Sequence, residues 1–220
     1  MTRKTPTERQ TRDRRCRDAS CLVRTLREKG ISRGVILDAF RFIPRDRFVP
    51  DEEKPYAWED RPLPIGEGQT ISQPYTVAYM LDLAAVRPGD QVLEIGTGSG
   101  YAAALLAYIA GSQDLVTTVE VNPELYVYGG KRLEEVGMTK VRRILGNCRE
   151  ITLPDAPFDV IIVSAQASEV PQPLVDALGR GGRLVMPVET GSYSVMTRLL
   201  RTPDGIKTTR HDTFQFVPLV

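Results

Sequence analysis

Two short stretches hold most of the side chains that could do chemistry. One, VLEIGTGSGY over Val92–Tyr101, sets Gly96, Gly98 and Gly100 in alternation with Thr97 and Ser99 behind an apolar run. Glycines at a strand-to-helix turn let the backbone approach a ligand closely, and in an open α/β sheet that edge is where ligands bind. A plain connecting turn would not need three of them. A dinucleotide fingerprint would place its third glycine at position 101, which is Tyr101 here, and no lysine follows the loop as a Walker-type phosphate loop requires. Glu94 precedes the loop. A carboxylate there disfavours a pyrophosphate and favours a cation. Glu120 ends the next apolar run and can accept hydrogen bonds from both hydroxyls of a ribose. Glu120 alone would serve NAD equally well. The loop spacing and Glu94 choose S-adenosylmethionine, a nucleoside with a sulfonium, an ammonium and no phosphate.

The other stretch, PIGEGQTISQPYTVAYM over Pro64–Met80, has the composition of a loop. Yet Ile71, Tyr75, Val77, Tyr79 and Met80 are too much apolar surface for an idle linker. Ser72 is its chemically useful residue. Its hydroxyl can donate one hydrogen bond and accept others. Ser72 also fits the N-cap of a helix over PYTVAYMLDLAA, with Pro74 in the first turn. A serine hydrolase would need a histidine, and the single one, His211, reads as an exposed strand residue far from Ser72 in sequence. Cys16, Cys21, Cys148 and His211 have no metal-ligand spacing, and no metal is expected. The cysteines are odd in number and lack a CxxC pair, so they read as free thiols in a reducing cytoplasm.

The elements that must position these residues follow from the patterning. QVLEI, LVTTVEV, VRRIL, FDVIIV and GGRLVMPV are apolar runs bounded by turns, separated by helical stretches over 101–110, 123–136 and 171–178. Strands that are apolar throughout and alternate with helices indicate a parallel sheet covered on both faces. SVMTRLLRT, a Pro203-Asp204-Gly205 turn and the strands that follow read as antiparallel. Earlier in the chain, helices are expected over 21–29 and 35–40, and an extended loop over 48–64. Gly129 and Gly130 inside the 123–136 helix should each cost about 1 kcal/mol relative to alanine. The fold class is therefore α/β, with a mostly parallel central sheet, antiparallel C-terminal strands and an N-terminal helical cap; with S-adenosylmethionine as the expected ligand it reads as a Rossmann-like methyltransferase fold. Residues 1–20 are expected to be a flexible basic segment. A single domain should span 21–220, with helices and substrate loop over 21–80 and the core over 81–220.

Composition narrows the partners. The chain has 220 residues, 41% hydrophobic and 26% charged, with a net charge of +1, which suits one soluble domain and gives no general affinity for nucleic acid. The N-terminal arginines are interrupted by Asp13 and Asp18 without interleaved aromatics, which disfavours an RNA-binding arm. No apolar run approaches the ~20 residues of a membrane span, and no apolar segment follows the basic N-terminus as in a secretory signal. A cytoplasmic monomer is expected.

Beyond these readings, nearly the whole chain resembles the protein-L-isoaspartate(D-aspartate) O-methyltransferase family. DRPLPIGEGQTISQPYTVAYM is similar to that family's most distinctive block, PGDQVLEIGTGSGY to its cofactor loop, and PRDRFVP, PFDVIIVSAQASEVPQPLVDALGRGGRLVMPV and the terminal FVPL to further segments. The resemblance implies S-adenosylmethionine-dependent methyl esterification of the carboxyl of L-isoaspartyl residues in damaged proteins and peptides. The ester then collapses to a succinimide that partly reopens as normal aspartate. It implies Ser72 as the active-site position, its hydroxyl hydrogen-bonding one oxygen of the substrate carboxylate and leaving the other free to react, and the Glu94–Gly100 loop with Glu120 as cofactor contacts. On that chemistry Thr70, Ile71 and Gln73 are expected to lie over the cofactor as a lid and shape the substrate slot, and SAQASEVP over 164–171, with Ala165 and Gln166, to form the opposite wall. Three positions depart from the pattern. Gly146-Asn147-Cys148 stands where the family usually has Gly-Asp-Gly, whose Asp contacts the adenine amino group. Gln166 stands where it prefers a small residue, and is expected to narrow the substrate slot. Those departures keep open a carboxyl methyltransferase dedicated to one biosynthetic peptide. A non-catalytic binder of cofactor or damaged peptide is a further alternative, against which the intact GQTISQP and EIGTGSG segments argue.

Overall fold

The computed structural model describes residues 16–151 and 153–219, so most of the expected basic arm lies outside the described residues. Helix α1 (Ala19–Glu28) starts where Asp18 Oδ1 accepts the Cys21 N–H, and its Leu22, Val23 and Leu26 are buried. Gly30, at φ +100°, turns the chain toward α2 (Gly34–Phe42), which ends ahead of Pro44. Cys16 and Cys21 are not free thiols: they form a disulfide with a Cα–Cα distance of 5.2 Å. The reversal of the chain into the first turn of α1 brings them together. Cys148 is free and buried.

The segment expected to be extended instead forms two 3-10 turns, Arg45–Phe48 and Asp51–Tyr56. Pro50 and Pro55 hold φ in the range such turns use, and Phe48, Val49 and Ala57 are fully buried. Next comes a hairpin, β1 (Leu63–Gly66) and β2 (Gln69–Ile71), where the composition reads as a loop. Its two-residue turn has both central residues at positive φ, Glu67 at +52° and Gly68 at +67°, the backbone that matches strand twist in a tight hairpin. Helix α3 (Pro74–Ala84) follows directly.

The core sheet has seven strands in the order β5-β4-β3-β6-β7-β8-β9. These are β3 (Val92–Ile95), β4 (Val116–Glu120), β5 (Arg142–Leu145), β6 (Phe158–Val163), β7 (Leu178–Glu189), β8 (Ser194–Thr202) and β9 (Gly205–Phe214). The first five in sheet order run parallel, and β7, β8 and β9 pair antiparallel. Helices α4 (Tyr101–Ala110), α5 (Pro123–Glu135) and α6 (Gln172–Asp176) make the crossovers. Alternation of side chains across each strand feeds two cores. On β6, Val160 and Ile162 join the cluster that contains α1–α4, while Ile161 and Val163 join the cluster that contains Leu174 of α6. The C-terminal end of α3 is held by Arg183 of β7, whose guanidinium donates to the carbonyls of Ala84 and Ala85 (both 3.0 Å) and pairs with Asp90.

The chain leaves β3 toward β4 and β5 on one side, then returns to β6 and β7 on the other. The switch between β3 and β6 opens a crevice at their carboxyl ends. Gly129 of α5 makes the glycine loop fit there. A Cβ on Gly129 would lie 2.6 Å from the Gly98 carbonyl oxygen, a main-chain atom with no room to move. A Cβ on Gly130 would instead meet the Arg143 guanidinium, the far end of a flexible side chain. Helix propensity alone favours alanine at both positions by about 1 kcal/mol. Gly129→Ala should nevertheless destabilise the protein, by roughly 1–3 kcal/mol, while Gly130→Ala should stay within about 1 kcal/mol of wild type. Thermal melts of the two variants check this, and a Gly129→Ala melting temperature at or above wild type would refute it.

Candidate active site

An open cleft of about 1030 Å³ lies over the carboxyl ends of β3, β4 and β6. Its floor is the Glu94–Ser99 segment. Glu120–Asn122 with Leu125 form one side, and Ser164 and Ala165 the other. Thr70, Ile71 and Ser72 of the hairpin close over it, and Val217, Pro218 and Leu219 complete the rim. Among the described residues, no lysine, arginine or histidine lines it. A cleft with two glutamates and no base is a poor home for phosphates and a good one for a cation.

Glu120 joins two connections. Its Oε2 accepts the Gly98 N–H at 2.9 Å, and its Oε1 accepts the N–H groups of Val121 and Asn122, both at 3.0 Å. An ionised carboxylate offers about four acceptor positions, so the glycine loop and the start of α5 occupy most of them and the remainder faces the cleft. Asn122 then caps α5, its Oδ1 accepting from Glu124 and Leu125. The loop itself is fixed by Gly96 and Thr97 donating to the Val119 carbonyl and by Gly100 donating to Thr97. Ser99 Oγ accepts the Tyr101 N–H at the start of α4.

Glu94 is fully buried on the cleft floor. The Thr118 hydroxyl donates to its Oε2 at 2.7 Å and is itself bonded to the Thr97 hydroxyl. Its Oε1 has no hydrogen-bond partner among the described residues. Burial pushes the carboxyl up to about 8; the Thr118 bond opposes the shift and the nearby Glu120 charge adds to it.

Ser72 stands at the junction of β2 and α3, half-buried, lining the cleft. It does not cap α3. The N-cap position is Gln73, which makes no side-chain cap bond. The cap comes from Asp60, whose Oδ1 accepts the Tyr75 N–H at 2.8 Å while Oδ2 takes the Gln73 amide and Lys29. Pro74 forces this arrangement, since it has no N–H to offer a neighbouring hydroxyl. The Ser72 carbonyl accepts from Arg45 at 3.1 Å.

Most of the residues expected at the site converge on this cleft: Thr70, Ile71, Ser72, Glu94, Gly96, Thr97, Gly98, Ser99, Glu120, Cys148 and Ala165. Others stand back. Gly100 packs beneath the loop, where a Cβ would lie 2.9 Å from the Gly129 carbonyl oxygen. Gln73 is turned to Asp60. Asn147 Oδ1 accepts the Arg149 N–H, leaving Cys148 as the residue that forms the wall; burial raises the Cys148 thiol. Gln166 does not narrow the slot. Its side chain is held by Ser194 and Glu189 beside a neighbouring cavity, while its backbone pairs with Val217 and Leu219. His211 sits on β9 beside Thr209. The C-terminal rim at 217–219 and the Val121–Leu125 side carry no sequence signal of site function beyond the FVPL resemblance and the Asn-Pro helix start.

Comparison with known proteins gives one consistent picture. A sequence model of the protein-L-isoaspartate(D-aspartate) O-methyltransferase family matches residues 17–220. The protein-L-isoaspartate O-methyltransferase of Gloeobacter violaceus is 47% identical over 195 residues, 88% of this chain and 94% of that one. The Methanoculleus marisnigri enzyme of the same name is 45% identical over 195 residues, 89% of this chain and 87% of its own. Among solved structures, a Plasmodium falciparum chain described as a protein-L-isoaspartate O-methyltransferase in complex with S-adenosyl-L-homocysteine superposes with a TM-score of 0.81 at 24% identity, covering 92% of this chain and 98% of that one.

The electrostatics of the floor are directly measurable. Folded Glu94 keeps its proton up to about pH 8, whereas an ordinary glutamate loses it near 4.5. Between those values the native state holds the extra proton, so stability should fall as pH rises, with a limiting slope of about 1.4 kcal/mol per pH unit. Glu94→Gln keeps the shape and should flatten this dependence. Urea unfolding of ligand-free protein at several pH values between 5 and 8 checks it, and identical slopes in both proteins would place the titration elsewhere.

Proposed function

Given that the chain belongs to the protein-L-isoaspartate(D-aspartate) O-methyltransferase family, we propose that this cleft holds S-adenosylmethionine against the Glu94–Ser99 floor and presents an isoaspartyl carboxylate beneath the 70–72 segment. Members of the family are S-adenosylmethionine-dependent enzymes that methylate isoaspartyl carboxyls in damaged proteins. The observation that carries the reading is the pairing of Ser72 with the glutamate-floored glycine loop across one cleft.

The residues present fit the cofactor. Glu94 Oε1 is a buried acceptor without a partner, as a group bearing N–H donors and positive charge would need. The absence of side chains at Gly96 and Gly98 leaves the loop backbone open to a nucleoside. Glu120 retains acceptor capacity toward ribose hydroxyls, and Cys148 with Val121 supplies apolar wall. When bound, S-adenosylmethionine supplies an electrophilic methyl group. The chain must do the rest. The acceptor carboxylate is ionised at neutral pH and needs no general base, so the protein's task is orientation and exclusion of water. Ser72 donates its hydroxyl to one carboxylate oxygen, leaving the other to react. The hairpin, with buried Leu63, Ile65 and Ile71, covers the cleft as its lid. The proposal extends to isoaspartyl proteins and peptides as substrates of a monomeric, cytoplasmic enzyme that does not bind nucleic acid, in keeping with the near-neutral charge. No helix of the described residues is long and apolar enough to cross a membrane. The Cys16–Cys21 bond is the observation that pulls against a reducing compartment.

Two variants test the two halves of the cleft. Ser72→Ala should lower kcat on an isoaspartyl peptide about 10- to 1,000-fold, the effect of a lost orienting bond. Affinity for S-adenosylhomocysteine and melting temperature should hardly change, because Ser72 caps nothing. A kcat near wild type would end the role given to Ser72. Glu120→Gln should weaken S-adenosylhomocysteine binding by about 1.5–3 kcal/mol and also lower the melting temperature, because the amide nitrogen cannot accept the N–H groups that Glu120 holds. Titration calorimetry showing an unchanged dissociation constant would move the nucleoside away from β4.

A further inference from the structure

Arg45 is the largest fully buried side chain among the described residues, and its charge is not spent on a carboxylate. Nη1 donates to the carbonyls of Ala57 (2.5 Å) and Glu59 (3.5 Å), and Nη2 donates to those of Arg61 and Ser72 (both 3.1 Å). The guanidinium lies 5.9 Å from the ring centroid of Tyr101, which lines the cleft. Burial pulls Arg45 down to about 10, against the opposing influence of Tyr101 and Asp60, so it remains charged at neutral pH.

An arginine in such a place is a poor choice for stability alone. A buried charge pays heavily in lost hydration, and a well-packed apolar side chain of similar volume would often serve the fold as well. What the planar fork does, and an apolar residue cannot, is hold main-chain carbonyls from separate segments at fixed angles. Three of its acceptors lie within 57–61, and the fourth is the carbonyl of Ser72. The 57–61 segment also carries Asp60, which grips Gln73 and Tyr75 on the other side of Ser72. Upstream, Ile71 is fixed by pairing with Leu63. Downstream, Pro74 fixes its own φ. Ser72 therefore has its flanks pinned and its peptide plane set by Arg45. Ser72 lines the cleft while its carbonyl accepts from the guanidinium.

We infer that Arg45 is a positioning residue of the methyl transfer, acting through the Ser72 carbonyl to aim the Ser72 hydroxyl at the acceptor carboxylate. The inference rests on the role proposed above for Ser72 and adds the group that controls it. It distinguishes Arg45 from an ordinary core residue, because its effect on turnover must pass through one hydroxyl.

A double-mutant cycle on the full chain tests it, with kcat measured at saturating isoaspartyl peptide and affinity measured for S-adenosylhomocysteine. Arg45→Met should lower kcat about 10- to 100-fold and leave S-adenosylhomocysteine affinity within about 3-fold, a split that general loosening of the fold would not produce. Arg45→Lys, which keeps the charge but not the fork, should fall between wild type and Arg45→Met. The double variant Arg45→Met/Ser72→Ala should be within about 2-fold of Ser72→Ala alone, since the hydroxyl that Arg45 aims is already gone. Leu199→Ala, a destabilising change in the β7–β8 core, should keep its kcat. If Arg45→Met does not fold, Arg45→Lys enters the same cycle. A slow Ser72→Ala with full-rate Arg45 variants, or factors that multiply in the double variant, would overturn the inference and spare the Ser72 reading. Full-rate Ser72→Ala would overturn that reading and the inference with it.

Discussion

The carboxylate of Glu120 is the joint on which the cleft depends. It ends β4 nearly buried and receives three backbone N–H groups, one from the glycine loop after β3 and two from the turn into α5. Hydrogen bonds to an ionised acceptor are the strong kind, and these tie together the two crossovers that flank the opening. The close approach of Gly129 to the Gly98 carbonyl is the packing counterpart of the same joint. With loop and helix locked, the Glu94 floor and the Ser164–Ala165 wall are held at a set separation by the pairing of β3 with β4 and β6. The half of the cleft proposed to hold the nucleoside is thus built from the centre of the sheet.

The other half is built differently. The 70–72 segment belongs to a two-stranded hairpin outside the main sheet, and a hairpin of that size is marginal on its own. Its order is supplied by burial of Leu63, Ile65 and Ile71 and by two polar anchors, Arg45 from below and Asp60 from the side. A lid over a reactive ligand has to be ordered enough to orient an acceptor and separable enough to admit a polypeptide. Polar anchors to main-chain atoms fix direction without adding a second apolar core. The chemistry asked of the site is modest: the acceptor arrives ionised and the methyl group arrives activated. Geometry and dryness are what remain for the protein to provide, and the proposal assigns that task to the hairpin and its anchors.

The charge pattern follows the same division. Glu94 and Glu120 share one cleft with no basic neighbour on its lining among the described residues. Glu120 is satisfied by N–H donors, whereas Glu94 keeps an unpartnered oxygen and, by burial, its proton. A positive ligand beside Glu94 favours the ionised form. On the proposed reading, the same residue disfavours phosphate-bearing nucleotides and accommodates a cationic one.

How much of this was legible from the residues depended on the range over which they act. The apolar runs at 92–95, 116–120 and 158–163 announced buried parallel strands, because a strand covered on both faces has no polar phase. The alternating glycines, Glu94, Glu120 and Ser72 were legible as chemistry, because residue type and spacing over a few positions carry that signal. The tertiary structure decided what depends on distant partners. It made 45–56 into 3-10 turns and 63–71 into a hairpin, since burial of Phe48, Ala57 and Leu63 outweighed their loop-like composition. It joined Cys16 to Cys21, gave the cap of α3 to Asp60 rather than Ser72, and turned Gln166 out of the cleft onto Ser194. It also brought 217–219 to the rim, about 50 residues from the backbone of Gln166 that pairs with it. Periodicity and motifs report contacts along the chain. Which hydroxyl is free, which carboxyl is desolvated and which carbonyl an arginine holds are set by elements that meet only when the chain has folded.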